Sequence, residues 1–312
     1  MTERFLITGA NGCIGAWVVA QLTREGTAVV ALDAAEDDHR LRLLLDDAEL
    51  ERLERVRGDI TDHEALERTL DAHDVTRVIH LAALQVPFCR ADPSLGAQVN
   101  VVGTVNVLEA AARRADRIGP VVYASSVAAY DALEDGAPPA MHGVPSTLYG
   151  VYKRANEGTA AVYAGERDLP SVGLRPHTVY GPGRDQGVTS APTAAMLAAA
   201  AGKPYRLPYG GAYQLQYAPD VAAAFVAAAR SDARGAELRD LGGPVTRTEE
   251  LIAAIEEAAP GAQIAFDPVE LPFPAQTGDT RGATPLAEGV ADAVGRFRDL
   301  LRRGLVAPPD VS

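Results

Sequence analysis

Thr8-Gly-Ala-Asn-Gly-Cys-Ile-Gly15 narrows what this chain can become more than any other segment, because its glycines fall where an apolar run gives way to a helical pattern. A turn with glycines at 9, 12 and 15 passes straight from strand to helix and keeps side chains out of the junction. The same alternation then repeats. Short apolar runs at Arg4–Thr8, Ala28–Leu32, Arg55–Arg57, Arg77–Leu81, Val121–Ser125 and Ser171–Arg175 predict strands. Helical patterns near Ile14–Glu25, His63–Ala72, Leu95–Arg117 and Tyr149–Arg167 separate them. Strands joined through helices pair in parallel by right-handed crossovers, so the expected fold class is α/β, a Rossmann-type doubly wound parallel sheet. Ligand then binds at the carboxyl ends of the strands.

The charged, leucine-rich segment Ala35–Leu53 is expected to be a surface helix, and Asp131–Ser146, rich in Pro, Gly and acidic residues, a loop over the sheet. Beyond Arg175 the texture changes to Gly/Pro punctuation, short strands and the alanine-rich helices Ala191–Ala201, Val221–Ser231 and Thr248–Ala259. Two domains follow as an expectation: a Rossmann cofactor domain over residues 1–175, and a smaller C-terminal substrate-binding lobe over residues 176–312, interleaved with the last sheet strands.

The glycine turn lets a pyrophosphate approach backbone, and the free N–H groups and dipole of a helix N-terminus bind it. Asp33, eighteen residues beyond Gly15, ends the second strand, where a carboxylate accepts ribose hydroxyls and repels a 2′-phosphate. With no arginine immediately after it, NAD is expected rather than NADP. Asp59, in Gly58-Asp59-Ile60, stands where it can meet the adenine amino group, although an Asp after a strand also serves as a turn or helix cap. The small residues of His80-Leu81-Ala82-Ala83 let the fourth strand's end run close to the same cofactor.

Catalysis points to Tyr149-Gly-Val-Tyr-Lys153, preceded by Ser125-Ser126. Residues i and i+4 share a helix face, so Tyr149 and Lys153 project together. Oxidising an alcohol needs a base for the hydroxyl proton while hydride departs. A phenol serves only if its pKa falls by about three units, roughly 4 kcal/mol of phenolate stabilisation, which an ammonium and a positive nicotinamide in a dry site supply. Ten tyrosines and two lysines give about 0.06 such pairs by chance, so the spacing carries weight only with the upstream motifs. Lysine usage adds more. Of 29 basic residues only Lys153 and Lys203 are lysine, so a compact ammonium stands at 153 where guanidinium has the wrong shape.

The net charge of −13 leaves no attraction for nucleic acid or an anionic membrane surface. Two cysteines, Cys13 and Cys89, offer no disulfide framework or metal cluster, so no metal site is expected. Met1-Thr-Glu-Arg-Phe-Leu-Ile runs into a strand without a basic stretch and apolar segment, and no apolar run is long enough to span a bilayer; a cytoplasmic location is expected.

Gly9/Gly12/Gly15, Asp33, Asp59-Ile60, His80-Leu-Ala-Ala83, Asn100-Val-Val-Gly-Thr, the serine pair, Tyr149/Lys153 and Arg175-Pro-His-Thr-Val-Tyr-Gly-Pro-Gly183 follow in that order. Together they resemble the extended short-chain dehydrogenase/reductase family, in its NAD-dependent epimerase/dehydratase branch, over about residues 4 to 230. Thr284–Val290 resembles the family's last helix. The resemblance implies that Ser126 holds the substrate oxygen, Tyr149 is the acid/base, and Lys153 binds the ribose. It implies cofactor contacts from Asn11, Cys13 and Ile14 in the glycine turn, from Asn100, and from Ser125, Pro176 and His177 near the nicotinamide. Leu95–Arg117 and Tyr149–Arg167 would form the bundle of a homodimer.

The departures are informative. Val127-Ala128 stand where sugar-nucleotide dehydratases carry an Asp-Glu pair. Thr178 stands in place of the usual Asn of nucleotide-diphosphate binders, and Tyr213, seven residues before Asp220, in place of their Arg. Arg206 and Arg281 are the candidates to replace that charge. Gln85, Thr178 and Arg184, with Ser126 and Tyr149, are the candidate substrate contacts, with Arg90, His177, Asp185, Gln186, Thr189 and Ser190 as further pocket residues for a polyol or sugar acid. The expected function is NAD-dependent redox chemistry at a secondary hydroxyl of a sugar or sugar derivative, as an epimerase or a dehydrogenase. The alternatives are a nucleotide-sugar 4-epimerase and a non-catalytic NAD-sensing protein, the latter opposed by the intact Ser126/Tyr149/Lys153 set.

Overall fold

A computed structural model of the chain describes residues 2–130, 143–271 and 278–309. The first strands are β1 (Arg4–Thr8), β2 (Ala28–Asp33), β3 (Glu54–Arg57), β4 (Arg77–His80), β5 (Val121–Ala124) and β6 (Ser171–Arg175), each within one residue of the bounds the sequence predicts. Then come β7 (Thr178–Tyr180), β8 (Tyr205–Leu207), β9 (Ala212–Tyr217), β10 (Ala236–Asp240), β11 (Val245–Arg247) and β12 (Ile264–Phe266). Helices α1 (Cys13–Arg24), α2 (His39–Leu44), α3 (Asp47–Arg52), α4 (His63–Ala72), α5 (Val86–Ala91), α6 (Pro93–Ala97) and α7 (Gly103–Ala112) precede β5. Helices α8 (Leu148–Arg167), α9 (Ala191–Ala200), α10 (Ala218–Ala229), α11 (Thr248–Ala258) and α12 (Leu286–Arg302) follow it.

Among the described residues seven strands form one parallel sheet in the order β10-β6-β5-β4-β1-β2-β3. The fold is therefore the doubly wound α/β sheet, and its strand order reverses between β1 and β4, which opens a crevice at their carboxyl ends. Alternate residues of each strand serve opposite faces. Phe5, Ile7 and Val29 pack with Trp17 and Val18 of α1 and Phe225 of α10, whereas Leu6, Val30 and Leu32 pack with Leu66 of α4, Val107 of α7 and Ala160 of α8. A third core gathers Tyr180, Tyr213 and Tyr217 with Met196 of α9, Ile255 of α11 and Phe297 of α12. Trp17 Nε1 donates to the Pro182 carbonyl at 2.9 Å and ties this core's approach to α1.

Two expectations need correction. Ala35–Leu53 is not one surface helix: Asp46 and Glu49 form a reciprocal capping box that restarts the chain between α2 and α3. Its leucines 41, 44, 45, 50 and 53 are buried in the core against α1, so leucine content outweighs charge here. The helix expected over Leu95–Arg117 is interrupted by a π-helical turn at Gln98–Val102 and ends at Ala112. The Asn100 carbonyl accepts from Thr104 Oγ1 at 2.7 Å and Asn156 Nδ2 at 2.8 Å, side-chain donors that sustain the wide turn. The loop expected over Asp131–Ser146 falls mostly outside the described residues.

Candidate active site

The glycine turn sits at the crevice. Gly9 has a φ of +70°, and a Cβ on it would lie 2.5 Å from the Ala82 nitrogen, so β1 and the end of β4 approach only because Gly9 has no side chain. A Cβ on Gly15 would collide with the Gly9 carbonyl at 2.1 Å. Gly12 precedes α1, and no side chain caps that helix among the described residues. The first N–H groups of α1 therefore face the crevice as a site for an anion. Asn11, Gly12, Cys13 and Ile14 are half-buried along it, as are Leu81, Ala82 and Ala83 on the facing strand end. Burial pushes the Cys13 thiol up to about 11, with Arg184 and Arg40 opposing, so it is a neutral lining group.

Asp33 reaches over the turn: Oδ2 accepts from the Asn11 N–H at 2.9 Å and Oδ1 from the Ala35 N–H at 2.9 Å. Asp59 is exposed and accepts from the Thr61 N–H at 2.8 Å, the turn role such a residue often has, while Ile60 is buried against Gly103. His80 is locked beneath the crevice, with Nδ1 2.7 Å from Thr8 Oγ1 and Nε2 3.1 Å from Thr104 Oγ1. Asn100 is buried and fastens the chain after β4, accepting from the Leu84 N–H at 2.7 Å and donating to the Leu84 carbonyl at 2.9 Å. Pro176 is buried and His177 half-buried just past β6.

The end of β5 and the first turns of α8 bring the candidate catalytic groups together. Ser126 stands close enough to Tyr149 to act on its phenol, and its Oγ accepts from the Ala128 N–H at 3.1 Å. Lys153 Nζ donates to the Ala124 carbonyl at 2.7 Å and lies 5.4 Å from the Tyr149 ring centroid. Burial pushes the Tyr149 phenol up to about 12, against the pull of Ser126 and the Arg184 charge. Burial likewise pushes the Lys153 ammonium down to about 8. A hydroxyl donor, a phenol and an ammonium thus stand side by side at the crevice.

On the facing side, Gln85 Oε1 would lie 2.6 Å from a Cβ on Gly187, so Gln85 and the 181–190 segment are in contact. Arg184 Nη2 donates to Thr189 Oγ1 at 2.7 Å, its Nε is buried with no partner among the described residues, and its charge acts on Tyr149. Thr178 is fully buried in β7, with Oγ1 3.2 Å from His177 Nδ1. Tyr213 is buried in the third core. Arg206 bonds Asp267 at 3.1 Å and Arg281 bonds Asp279 at 2.7 Å. Two sets of residues escape sequence reasoning. Arg40 and His39 of α2 reach Asp185 across the glycine turn, contacts no local pattern announces. Glu157, paired with Arg175, has a signal that was there to read: it continues the Tyr149–Lys153 spacing by another four residues.

A sequence profile of the NAD dependent epimerase/dehydratase family matches residues 5–241. The chain is 35% identical to UDP-glucuronate 4-epimerase 3 of Arabidopsis thaliana over 191 residues, 57% of this chain and 42% of the plant protein, so it spans less than half of that relative's length. It is 33% identical to UDP-glucose 4-epimerase of Mycolicibacterium smegmatis over 326 aligned residues, 95% of this chain and 99% of that protein. The crystal structure of Thermus thermophilus UDP-glucose 4-epimerase in complex with NAD superposes with a TM-score of 0.76 at 27% identity, covering 95% of this chain and 99% of that one.

Proposed function

Because the chain belongs to the NAD-dependent epimerase/dehydratase family, we propose that it performs NAD-dependent redox chemistry at a secondary hydroxyl of a sugar or sugar derivative. The observation that carries this is the Ser126–Tyr149–Lys153 arrangement at the mouth of the crevice. The chain fits the cofactor: side-chain-free Gly12 and the uncapped start of α1 suit a pyrophosphate, and Asp33 suits ribose hydroxyls. Gly9, Gly15, Leu81, Ala82 and Ala83 shape the walls, and Ser125, Pro176 and His177 border the reacting end.

When bound, NAD supplies the hydride acceptor. Ser126 holds the substrate oxygen, and Tyr149 takes the hydroxyl proton at its phenolic oxygen as hydride leaves the same carbon. Burial pushes the Tyr149 phenol up to about 12, so the base role would need the Lys153 charge and the positive nicotinamide of bound NAD to bring it down; Lys153 would also donate to ribose. An epimer or a net dehydrogenation product would each be within reach of that chemistry. Arg184, within electrostatic reach of Tyr149, suits a substrate carboxylate, with Gln85 and Thr189 beside it. Residues 1–175 hold the cofactor and residues 176–312 mainly the substrate.

The protein is a cytoplasmic homodimer in this proposal. Leu148, Val151 and Val162 form an exposed apolar stripe on α8, with Val102 nearby in sequence to α7. No helix among the described residues is long and apolar enough to cross a membrane. A second reading, a nucleotide-sugar 4-epimerase, is favoured by the alignment along nearly the whole of the mycobacterial relative.

The test of the chemistry is Tyr149→Phe. It is expected to cost 10²–10⁴-fold in turnover while folding and NAD affinity stay near wild type, since only a hydroxyl is lost. Retention of more than about a tenth of the rate excludes Tyr149 as the acid/base. Absorbance in the NADH band during a screen of sugars, sugar acids and nucleotide sugars separates dehydrogenase from epimerase.

A further inference from the structure

Three successive residues at the end of β5 each face one residue of α8, and two of them are hydrogen-bonded to it. Ser126 meets Tyr149, the Ala124 carbonyl accepts from Lys153 at 2.7 Å, and Ser125 Oγ donates to Glu157 Oε1. Tyr149, Lys153 and Glu157 are spaced i, i+4 and i+8, so they line one helix face. Arg175 of β6 grips the same carboxylate, Nε on Oε1 at 2.7 Å and Nη2 on Oε2 at 2.8 Å. Its Nη1 lies 3.0 Å from the Tyr130 hydroxyl, which donates to Asp240 of β10 at 2.6 Å. Ser125, Glu157 and Arg175 are all buried. A buried ion pair adds little net stability over apolar side chains of the same size, so stability alone does not account for this one.

We propose that Glu157, clamped by Arg175, is the positioning residue of the Tyr149–Lys153 pair: it fastens the third point of their helix face to the strand end and sets a carboxylate one turn from the Lys153 ammonium. This rests on the acid/base reading of that pair. The groups facing Lys153 are Glu157 and Tyr149 on α8, Cys89 on α5 and His80 on β4. His80 is neutral, its imidazole pushed down to about 3 by burial, and the Cys89 thiol is pushed up by burial. Cys89 and Glu157 both oppose the effect of burial on Lys153; with the thiol neutral, Glu157 is the carboxylate among the described residues that does so, and Arg175 limits how strongly.

The two-lysine composition makes the test direct. Lysine-selective ¹³C NMR of the full chain, in the presence of NAD, follows Lys153 with exposed Lys203 as internal reference and needs no substrate. Glu157→Gln is expected to lower the Lys153 midpoint below that of wild type, through loss of an opposite charge one helical turn away. Arg175→Met is expected to raise it, because the carboxylate then faces one cation instead of two. A merely structural role loosens the site, admits water and raises the midpoint in both variants. A Glu157→Gln midpoint at or above wild type overturns the proposal. Should Glu157→Gln fail to fold with the Glu157–Arg175 charge pair broken, the Glu157→Gln/Arg175→Met double variant removes both buried charges. Its midpoint is expected below wild type, and a value at or above wild type overturns the proposal equally. Full turnover in Tyr149→Phe would instead defeat the acid/base reading and leave this titration standing.

Discussion

Both oxygens of the Asp33 carboxylate already accept backbone N–H groups, which pins a negative charge between the glycine turn and the end of β2. A 2′-phosphate placed there meets a charge that cannot swing away. NAD is expected to bind at least tenfold more tightly than NADP, upward of ~1.4 kcal/mol, and Asp33→Ala to narrow the gap. Calorimetry with equal affinities for the two cofactors would exclude this role. His80 makes a second prediction. Burial pushes its imidazole down to about 3, so between the ordinary histidine value and that figure the unfolded chain binds a proton that the fold refuses. Stability is then intact above about pH 6.5 and falls as pH drops toward 3, by up to about 1.4 kcal/mol per pH unit. Urea midpoints measured from pH 7 to 4 should fall more steeply for wild type than for His80→Gln. Parallel slopes would show that other groups set the acid sensitivity.

The short helix α2 does more than its length suggests. His39 Nε2 lies 2.9 Å from Asp185 Oδ2, Arg40 Nη2 lies 2.6 Å from Asp185 Oδ1, and Arg40 Nη1 donates to the Asn11 carbonyl at 3.0 Å. These contacts tie the glycine turn to the 181–190 segment, so one lip of the crevice is latched to the other. Arg40→Ala is expected to speed NAD dissociation about threefold or more, the scale of one partly exposed ion pair. Raising salt toward 1 M, where the Debye length is about 3 Å, should speed release from wild type and leave the variant unmoved. Stopped-flow displacement reads both, and equal release rates in the two proteins would mean that the latch does not hold the cofactor.

The third core takes up a side chain that could otherwise meet a large substrate. Tyr213 packs edge-on to Tyr209 at 5.4 Å and lies 3.5 Å from Thr248 Oγ1, so it fills that core instead of offering a charge to the crevice. Arg206 and Arg281 are each engaged by a neighbouring aspartate. A diphosphate would forgo charge-assisted hydrogen bonds of roughly 1.5–3 kcal/mol each, in a protein whose net charge is already −13. UDP is therefore expected to bind no better than millimolar in the presence of NAD. Micromolar binding, displaced by a UDP-sugar, would restore the nucleotide-sugar 4-epimerase as the better assignment.

What the sequence determined by itself is whatever one element can express. Strand bounds, the Gly9–Gly15 turn and the Tyr149–Lys153 face are spacings within a few residues, and backbone geometry turns such spacings into directions in space. Charge was a poorer guide than leucine count at Ala35–Leu53, because burial of apolar area outweighs the solvation of neighbouring carboxylates that still reach water. The π-helical turn at Gln98–Val102 was invisible because its side-chain donors include Asn156, which reaches Asn100 from another helix. The latch and the Glu157–Arg175 clamp belong to tertiary structure for the same reason. Arg40 and Asp185 are 145 residues apart, and Glu157 meets Arg175 only because α8 crosses back over the sheet beside β6. An ion pair between distant segments has no local periodicity; the order of the strands decides which side chains become neighbours.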